Sequence, residues 1–138
     1  MSLEVVHWLT ESQIKDLYAL FQREWWTKGR ELDDVKRMLE HTDVVVALCE
    51  PQTKRLIAFA RVLTDRVYKA LILDVIVDVA YRGTELGRTL MDTILQHPAL
   101  SSVHHFELYC LPELIPFYRK WGFTDELGTL RFMRRTTE

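Results

Sequence analysis

The sequence predicts a mixed α/β fold of the α+β type, with one mostly antiparallel sheet of six to seven strands and about four helices. Apolar runs of strand length alternate with segments whose apolar residues recur at helical spacing, in the order β-α-α-β-β-β-α-β-α-β and a further strand at the end. Several of these strands follow one another across a short polar turn. Such hairpins are typical of a mixed sheet rather than of a doubly wound parallel one.

The composition is that of an ordinary globular chain. The 138 residues suit one domain, residues 1–138, and the net charge of -2 gives no basic field for nucleic acid. The apolar runs are too short to span a bilayer and the N-terminus does not resemble a signal peptide, so no membrane partner is expected. Cys49 and Cys110 lie in apolar runs as free thiols would, which favours a reducing, cytoplasmic location. The protein is expected to be a monomer or a homodimer.

The N-terminal half is predicted as a strand, two helices and a hairpin. Residues 3–9 form the strand, and Thr10 and Gln13 fit a capping box at the start of the first helix. The apolar stripe of that helix continues to Trp25, and residues 31–41 form the second helix. Residues 43–50 and 56–63 are strands joined by a polar turn.

The C-terminal half contains a long central strand, residues 69–79, followed by a glycine turn and a helix that His97 and Pro98 end. Residues 103–110 are predicted as a strand, and a short helix then runs to Trp121 with Gly122 as its cap. Residues 123–135 are predicted to hold one or two final strands.

The turn after the central strand is a candidate anion site. Gly83 and Gly87 allow a tight path into a helix whose first N–H groups and dipole attract phosphate, with Arg82 and Arg88 on either side. Three residues separate the glycines and no Lys follows, so the turn is not a Walker loop, and it lacks the third glycine of a dinucleotide fingerprint. On these residues alone, a plain strand-to-helix turn remains an equal alternative.

A second stretch, Phe117-Tyr118-Arg119-Lys120-Trp121-Gly122-Phe123, changes that balance. Together with Arg82-Gly83-Thr84-Glu85-Leu86-Gly87 it resembles the GNAT superfamily of N-acetyltransferases, whose cofactor loop reads Arg/Gln-x-x-Gly-x-Gly/Ala and whose later signature reads Phe/Leu-Tyr-x-x-x-Gly-Phe. The motifs cover residues 71–123 in the right order. The resemblance implies a GNAT-like acyl-CoA N-acyltransferase fold.

The resemblance also implies acetyl-CoA as cosubstrate. Ile76 and Val77 would offer a strand edge to its pantetheine arm, and the pyrophosphate would lie on a loop formed by Arg82, Gly83, Thr84, Glu85, Leu86, Gly87 and Arg88. Glu85 departs from the family pattern, which has Gly there. Its carboxylate either crowds the phosphate or points to solvent; we favour solvent, since only its backbone N–H is needed.

The same resemblance implies that Tyr118 is the general acid, which protonates the leaving CoA thiolate. The alternative is a core aromatic packed beside Phe117 and Trp121. The family often has Asn seven residues earlier, where this chain has Leu111. Candidates for the general base are Asp74, which we favour, and Asp78, Glu107 and Tyr109, while a chain of water molecules is a further route.

The acceptor is expected to be a primary amine of a small molecule or peptide, attacking directly in a ternary complex. Trp25 and Trp26 could wall its pocket by cation–π contact, with Tyr109 as a further contact, although Trp25 packs equally well in the core. No metal site is expected, because His104 and His105 lack further ligands. The rival hypotheses are a non-catalytic CoA-binding module and a partner-binding domain without cofactor.

Overall fold

The computed structural model describes residues 2–137 and contains one five-stranded sheet, in the order β1 to β5. The pairs β1–β2, β2–β3 and β3–β4 are antiparallel, and β5 runs parallel to β4. The strands are Glu4–Val6 (β1), Val44–Cys49 (β2), Leu56–Thr64 (β3), Lys69–Val77 (β4) and His105–Glu107 (β5). The mixed, mostly antiparallel sheet of the prediction is therefore confirmed.

Four α-helices accompany the sheet. They are Glu11–Gln22 (α1), Leu32–Glu40 (α2), Leu86–Leu95 (α3) and Ile115–Arg119 (α4). Three short 3-10 helices lie at Val79–Tyr81, Pro98–Leu100 and Pro112–Leu114. None of the helices in residues 2–137 is long and apolar enough to cross a bilayer.

The chain forms two compact units, one that ends at Leu108 and one that begins at Tyr109. The first contains the whole sheet and α1 to α3, and the second contains α4 and the C-terminal residues. A single domain over residues 1–138 stays a prediction.

The start of α1 is the capping box that the sequence predicts. The Gln13 N–H donates to the Thr10 hydroxyl at 3.1 Å, and the Thr10 N–H donates to the Gln13 side chain at 3.0 Å. The helix ends at Gln22, so Trp25 lies in the following turn rather than on the apolar stripe, and it is 75% exposed. The expected extension of the stripe to Trp25 is therefore wrong.

The apolar face of α1 packs on the middle of the sheet. Leu17, Leu20 and Phe21 are buried against Phe59 of β3 and Ile76 of β4. The rings of Phe21 and Phe59 meet edge to face, with their centroids 6.1 Å apart. Helix α3 packs on β2, β3 and β4 through four buried residues: Leu86, Leu90, Met91 and Ile94.

Strand β4 has two irregularities that shape the site. Among the described residues, β5 pairs only with Lys69–Leu71, so the second half of β4 keeps one free edge. Opposite β3, the pairing steps from Arg61↔Leu73 to Phe59↔Ile76, so β4 contains an extra residue. Asp74 lies within this bulge at a φ of 54°, a left-handed conformation that L-residues rarely adopt.

The prediction of six to seven strands is wrong by one or two. The strand predicted over residues 103–110 is reduced to His105–Glu107, and residues 123–135 hold no strand. The apolar residues at 130 and 132 alternate as they do in a strand, but both side chains are more than 60% exposed. A strand needs a hydrogen-bonded neighbour, and the described part of the second unit offers none.

Candidate active site

The candidate cofactor loop begins where β4 ends. Asp78 follows the strand and accepts a hydrogen bond from the Ala80 N–H at 3.0 Å, which starts the 3-10 turn Val79–Tyr81. Gly83 then has a φ of 82°, the conformation in which glycine is favoured, and α3 begins at Leu86. The strand, tight turn and helix that the sequence predicts are therefore confirmed.

A polar network anchors this loop to the turn between β2 and β3. The Arg55 guanidinium donates to Glu50 and to Asp78, each at 3.2 Å, and the Tyr81 hydroxyl donates to the other oxygen of Glu50. Arg23 lies 3.6 Å from the same Asp78 oxygen. The Tyr81 hydrogen bond is the main reason that the pKa of Glu50 lies below its usual range. Sequence analysis missed Glu50 and Arg55, because the turn that carries them has no motif.

A cavity of about 310 Å³ lies between the end of α1 and the end of β4. It brings the predicted cofactor residues Ile76, Val77 and Arg82 together with Arg23 and Glu24, which follow α1 and were not predicted. Its apolar and polar lining consists of Leu20, Arg23, Glu24, Ile76, Val77, Asp78, Val79 and Arg82. The free edge of β4 thus opens onto a space with charged groups at its margin.

Arg82 crosses this cavity in the structure. Its Nε donates to the Val77 carbonyl oxygen at 3.2 Å, and one of its terminal nitrogens is ion-paired with Glu24. Val77 is one of the two residues that the resemblance assigns to the pantetheine arm. Arg82 therefore occupies an acceptor on the very edge that this arm would use.

The first turn of α3 presents its N–H groups without a side-chain cap. Glu85 is the N-cap residue and makes no capping hydrogen bond. Its carboxylate lies 3.3 Å from Arg88, and its side chain is 74% exposed. Because the first N–H groups of a helix have no intrahelical acceptor, they remain available to a ligand. Gly87, the second residue of this helix, is half-buried.

Asp74, the predicted base, is held by two arginines. Both Arg30 terminal nitrogens donate to its carboxylate, at 2.8 and 3.0 Å, and Arg61 Nε donates at 2.7 Å. Burial works to raise the pKa of Asp74, but these hydrogen bonds and charges outweigh it, so the pKa lies below its ordinary value. A carboxylate stabilised in this way is a weak base, and the geometry favours a structural role.

The two tryptophans predicted to line the acceptor pocket are exposed in the structure. Trp25 is 75% and Trp26 is 41% exposed, both in the turn after α1. Arg30, in the same connection, lies over the Phe21 ring, with its guanidinium carbon 4.6 Å from the centroid. Aromatic surface is therefore available to an amine at this end of the first unit, although nothing in the structure covers it.

The second unit contains the predicted acid. Tyr118 is buried in an aromatic cluster, with its ring centroid 5.0 Å from Phe117 and 6.2 Å from Phe123. Its hydroxyl has no hydrogen-bond partner within residues 2–137 and is not fully enclosed. Burial, with a smaller effect of Cys110, raises the pKa of Tyr118 to about 12, so the phenol keeps its proton at neutral pH.

Two other predicted positions lie in this unit. Tyr109 is 49% exposed and stacks on Phe132 at 4.7 Å between centroids, with Arg134 over its ring at 5.3 Å. Leu111, which stands where the family often has Asn, is 44% exposed and precedes a 3-10 turn. In the described part of the chain, no three His, Cys, Asp or Glu side chains are placed to hold a metal ion.

The strand edge, the glycine turn and the helix N-terminus belong to a mixed α/β fold that is shared with known acetyltransferases. Residues 40–125 match the acetyltransferase (GNAT) domain family, and this chain belongs to that family. It is similar to a GNAT-family protein of Xanthomonas campestris with a TM-score of 0.85 and 28% identity, covering 99% of this chain and 94% of that one.

Two curated plant proteins are also similar. GCN5-related N-acetyltransferase 1, chloroplastic, of Arabidopsis thaliana is 31% identical, over 75% of this chain and 53% of its own length. Serotonin N-acetyltransferase 2, chloroplastic, of Oryza sativa subsp. japonica is 32% identical, over 75% of this chain and 53% of its own length. The chain thus spans about half the length of these curated relatives.

The ion pairs of Asp74 should be visible in stability. Asp74→Asn should lower the free energy of unfolding by about 3 kcal/mol, because removing one partner of a buried ion pair leaves the other charge uncompensated. Urea denaturation at pH 7 measures it. Asp34→Asn is the matched control: Asp34 pairs with Arg37 on the exposed face of α2, and its loss should change stability by less than about 0.5 kcal/mol.

The Asp74 effect should depend on pH in a defined direction. The folded pKa lies below the ordinary value of 3.8, so the stabilisation is present above that value and is lost as the pH falls through it towards the folded pKa. The difference between wild type and Asp74→Asn should therefore shrink below about pH 4. A difference that stays constant from pH 7 to pH 3 would contradict the ion-pair assignment.

Proposed function

We propose that this protein is an acetyl-CoA-dependent N-acetyltransferase that moves an acetyl group to a primary amine of a small molecule or peptide. The observation that carries the proposal is the free edge of β4, which leads directly into the loop at the N-terminus of α3. Membership of the GNAT acetyltransferase family supports the same reaction class.

The residues present fit acetyl-CoA. The pantetheine arm contains amides, which can pair with the backbone of Ile76 and Val77 as an added strand does. The pyrophosphate accepts hydrogen bonds from the N–H groups of the first turn of α3 and charge from Arg82 and Arg88. Arg82 would leave Glu24 and Val77 for the phosphate, which frees the Val77 oxygen for the arm.

The proposed chemistry is direct transfer in a ternary complex. The amine nitrogen attacks the acetyl carbonyl carbon, the carbon–sulfur bond breaks, and CoA leaves as a thiolate that takes a proton. Tyr118 supplies that proton, because its phenol is neutral at pH 7 and its hydroxyl has no other partner within the described chain. Asp74 and Asp78 are both held by arginines, so we assign loss of the amine proton to a chain of water molecules.

The proposal also covers the compartment of the protein and the acceptor of the acetyl group. Cys49 and Cys110 are both free thiols, which suits the proposed reducing, cytoplasmic location. The two plant relatives are named as chloroplastic, and one is named for serotonin. Serotonin therefore belongs in any panel of acceptors for this chain.

One experiment tests the function and separates it from a non-catalytic CoA-binding module, which Glu85 and Leu111 favour as departures from the family pattern. Calorimetric titration with acetyl-CoA tests binding, and release of free thiol across an amine panel tests transfer. Binding without thiol release above the background hydrolysis would favour the module. No binding at high micromolar acetyl-CoA would exclude both.

Gly87→Glu should abolish acetyl-CoA binding while the fold persists. Glu is a better helix former than Gly and suits the first turn of a helix, so α3 should not weaken, but its carboxylate would occupy the phosphate position. Calorimetry measures affinity and circular dichroism measures folding. Gly87→Ala adds only a methyl group, and its affinity for acetyl-CoA should lie between those of the wild type and Gly87→Glu.

Glu85→Gly should keep or improve the affinity for acetyl-CoA; a large loss of affinity would reveal a role for the carboxylate.

Glu24→Gln should tighten acetyl-CoA binding by about twofold to fivefold, since the cofactor no longer competes with an ion pair for Arg82 and such pairs contribute up to about 1 kcal/mol. Calorimetry at low and high salt should show the gain mainly at low salt. Asp34→Asn, which removes a remote exposed acid, should leave the affinity unchanged. Unchanged or weaker binding in Glu24→Gln would show that Glu24 does not compete with the phosphate.

Tyr118→Phe should reduce turnover by about 10²-fold or more, the usual contribution of a positioned acid. Only the hydroxyl is lost, so the aromatic cluster and the affinity for acetyl-CoA should persist. Single-turnover measurement isolates the chemical step. Tyr68→Phe, at an exposed residue outside the candidate site, is the control and should retain activity. If Tyr118→Phe unfolds the protein, the hydroxyl is a structural group; if turnover is unchanged, Tyr118 is not the acid.

A further inference from the structure

The cluster of Arg30, Arg61 and Asp74 carries one positive charge that its single carboxylate does not neutralise. Arg30 places both terminal nitrogens on the Asp74 carboxylate, and Arg61 approaches it through Nε alone. One carboxylate between two guanidinium groups leaves a net charge of about +1, because arginine is always protonated in proteins.

Arg61 has an unused pair of terminal nitrogens. Asp74 is the only acceptor that the structure gives Arg61 within residues 2–137, and it occupies Nε. No enclosed side-chain nitrogen in that part of the chain lacks a partner, so neither Arg61 Nη atom is fully enclosed, although the side chain is only 13% exposed. A mostly buried guanidinium thus presents one side of its donor fork to solvent.

The free Nη atoms of Arg61 lie close to the part of β4 along which the pantetheine arm is proposed to bind. Arg61 pairs with Leu73 of β4, and it shares a face of β3 with Phe59, which packs against α1. Leu73 lies three residues before Ile76 across the bulge, so the two positions are less than about 10 Å apart. The free edge of β4 covers this interval. An acceptor whose amine meets the acetyl group at this edge would place its far end near Arg61.

We propose that Arg61 binds a carboxylate on the acceptor, so that the acceptors are amines that also carry an acidic group, as amino acids do. Guanidinium forks match planar carboxylates, and the single uncompensated charge matches a monoanion better than a phosphate monoester. Asp74 holds the guanidinium in place through Nε. This inference rests on the proposed acetyl transfer.

The test uses matched pairs of amines in the thiol-release assay: β-alanine with n-propylamine, and γ-aminobutyrate with n-butylamine, in which a methyl group replaces the carboxylate. Serotonin and phosphoethanolamine complete the panel. The wild type should prefer each carboxylate member by at least about tenfold in kcat/KM, the scale of one charge-assisted hydrogen bond. A preference for the methyl members, for serotonin or for phosphoethanolamine would overturn the proposal.

Arg61→Lys keeps the charge but not the fork. It should raise KM for the carboxylate amines by about tenfold and leave KM for the neutral amines unchanged. A purely structural Arg61 would instead affect both members of each pair equally. Arg30→Lys is the matched control, because both of its terminal nitrogens are already bound to Asp74, and the preference within each pair should survive.

A binding measurement separates this inference from the proposed function and needs no variant. Titrating the acetyl-CoA complex with β-alanine should shift the Nε–Hε NMR signal of Arg61, and n-propylamine should not. If no amine is acetylated but β-alanine shifts this signal, the proposed transfer fails while the carboxylate site stands. If β-alanine leaves the signal unmoved at millimolar concentration, the carboxylate site is refuted, whatever the activity.

Discussion

The structure depends on a strand that is paired on one side only. β4 lies inside the sheet, yet beyond Leu71 its edge towards β5 has no partner among the described residues. Backbone N–H and C=O groups need hydrogen-bond partners, and an unpaired edge inside a sheet invites an added strand. Here the edge leads into a glycine turn and the start of α3. A ligand with amides at one end and phosphates at the other satisfies both parts.

Asp74 in β4 and Asp78 directly after it stabilise the shape of this strand and of the loop that follows. Asp74 lies in the bulge with a left-handed backbone, and Arg30 and Arg61 hold its carboxylate. Asp78 ends the strand and holds the loop through Ala80 and Arg55. A buried carboxylate without a partner would be strongly destabilising, so each is matched by arginine. For Asp74 the same pairing also lowers the pKa, so this carboxylate does not suit the role of general base.

Much of this architecture could be predicted because its causes are local. The capping box of Thr10, the apolar run of β4 and the turn at Gly83 each depend on residues within a few positions of one another, and all three were found as expected. The bulge at Asp74 could not be predicted, because it appears only when β3 and β4 are paired. Burial alternates regularly along β4 through Asp74, so no pattern in the sequence marks the extra residue.

The errors also have physical causes. Trp25 lies at helical spacing from Phe21, but α1 stops at Gln22, because periodicity describes a face and does not fix where a helix ends. The predicted C-terminal strands are absent from residues 123–135, because an alternating sequence forms a strand only beside a partner strand. Pairs such as Glu24 with Arg82 join residues far apart in the chain, and no spacing rule reveals them.

That last pair sets how the cofactor would bind. Arg82 is half exposed and Glu24 is largely buried, so a pyrophosphate that takes Arg82 from Glu24 must offset the loss of that ion pair. Releasing Arg82 also frees the Val77 oxygen. A single side-chain movement would therefore expose both the guanidinium that binds phosphate and the strand edge that binds the amides. The free protein thereby keeps part of its strand edge satisfied by its own side chain. Under the proposed function, acetyl-CoA affinity would then reflect the difference between two sets of partners for Arg82 and Val77, rather than the sum of new contacts.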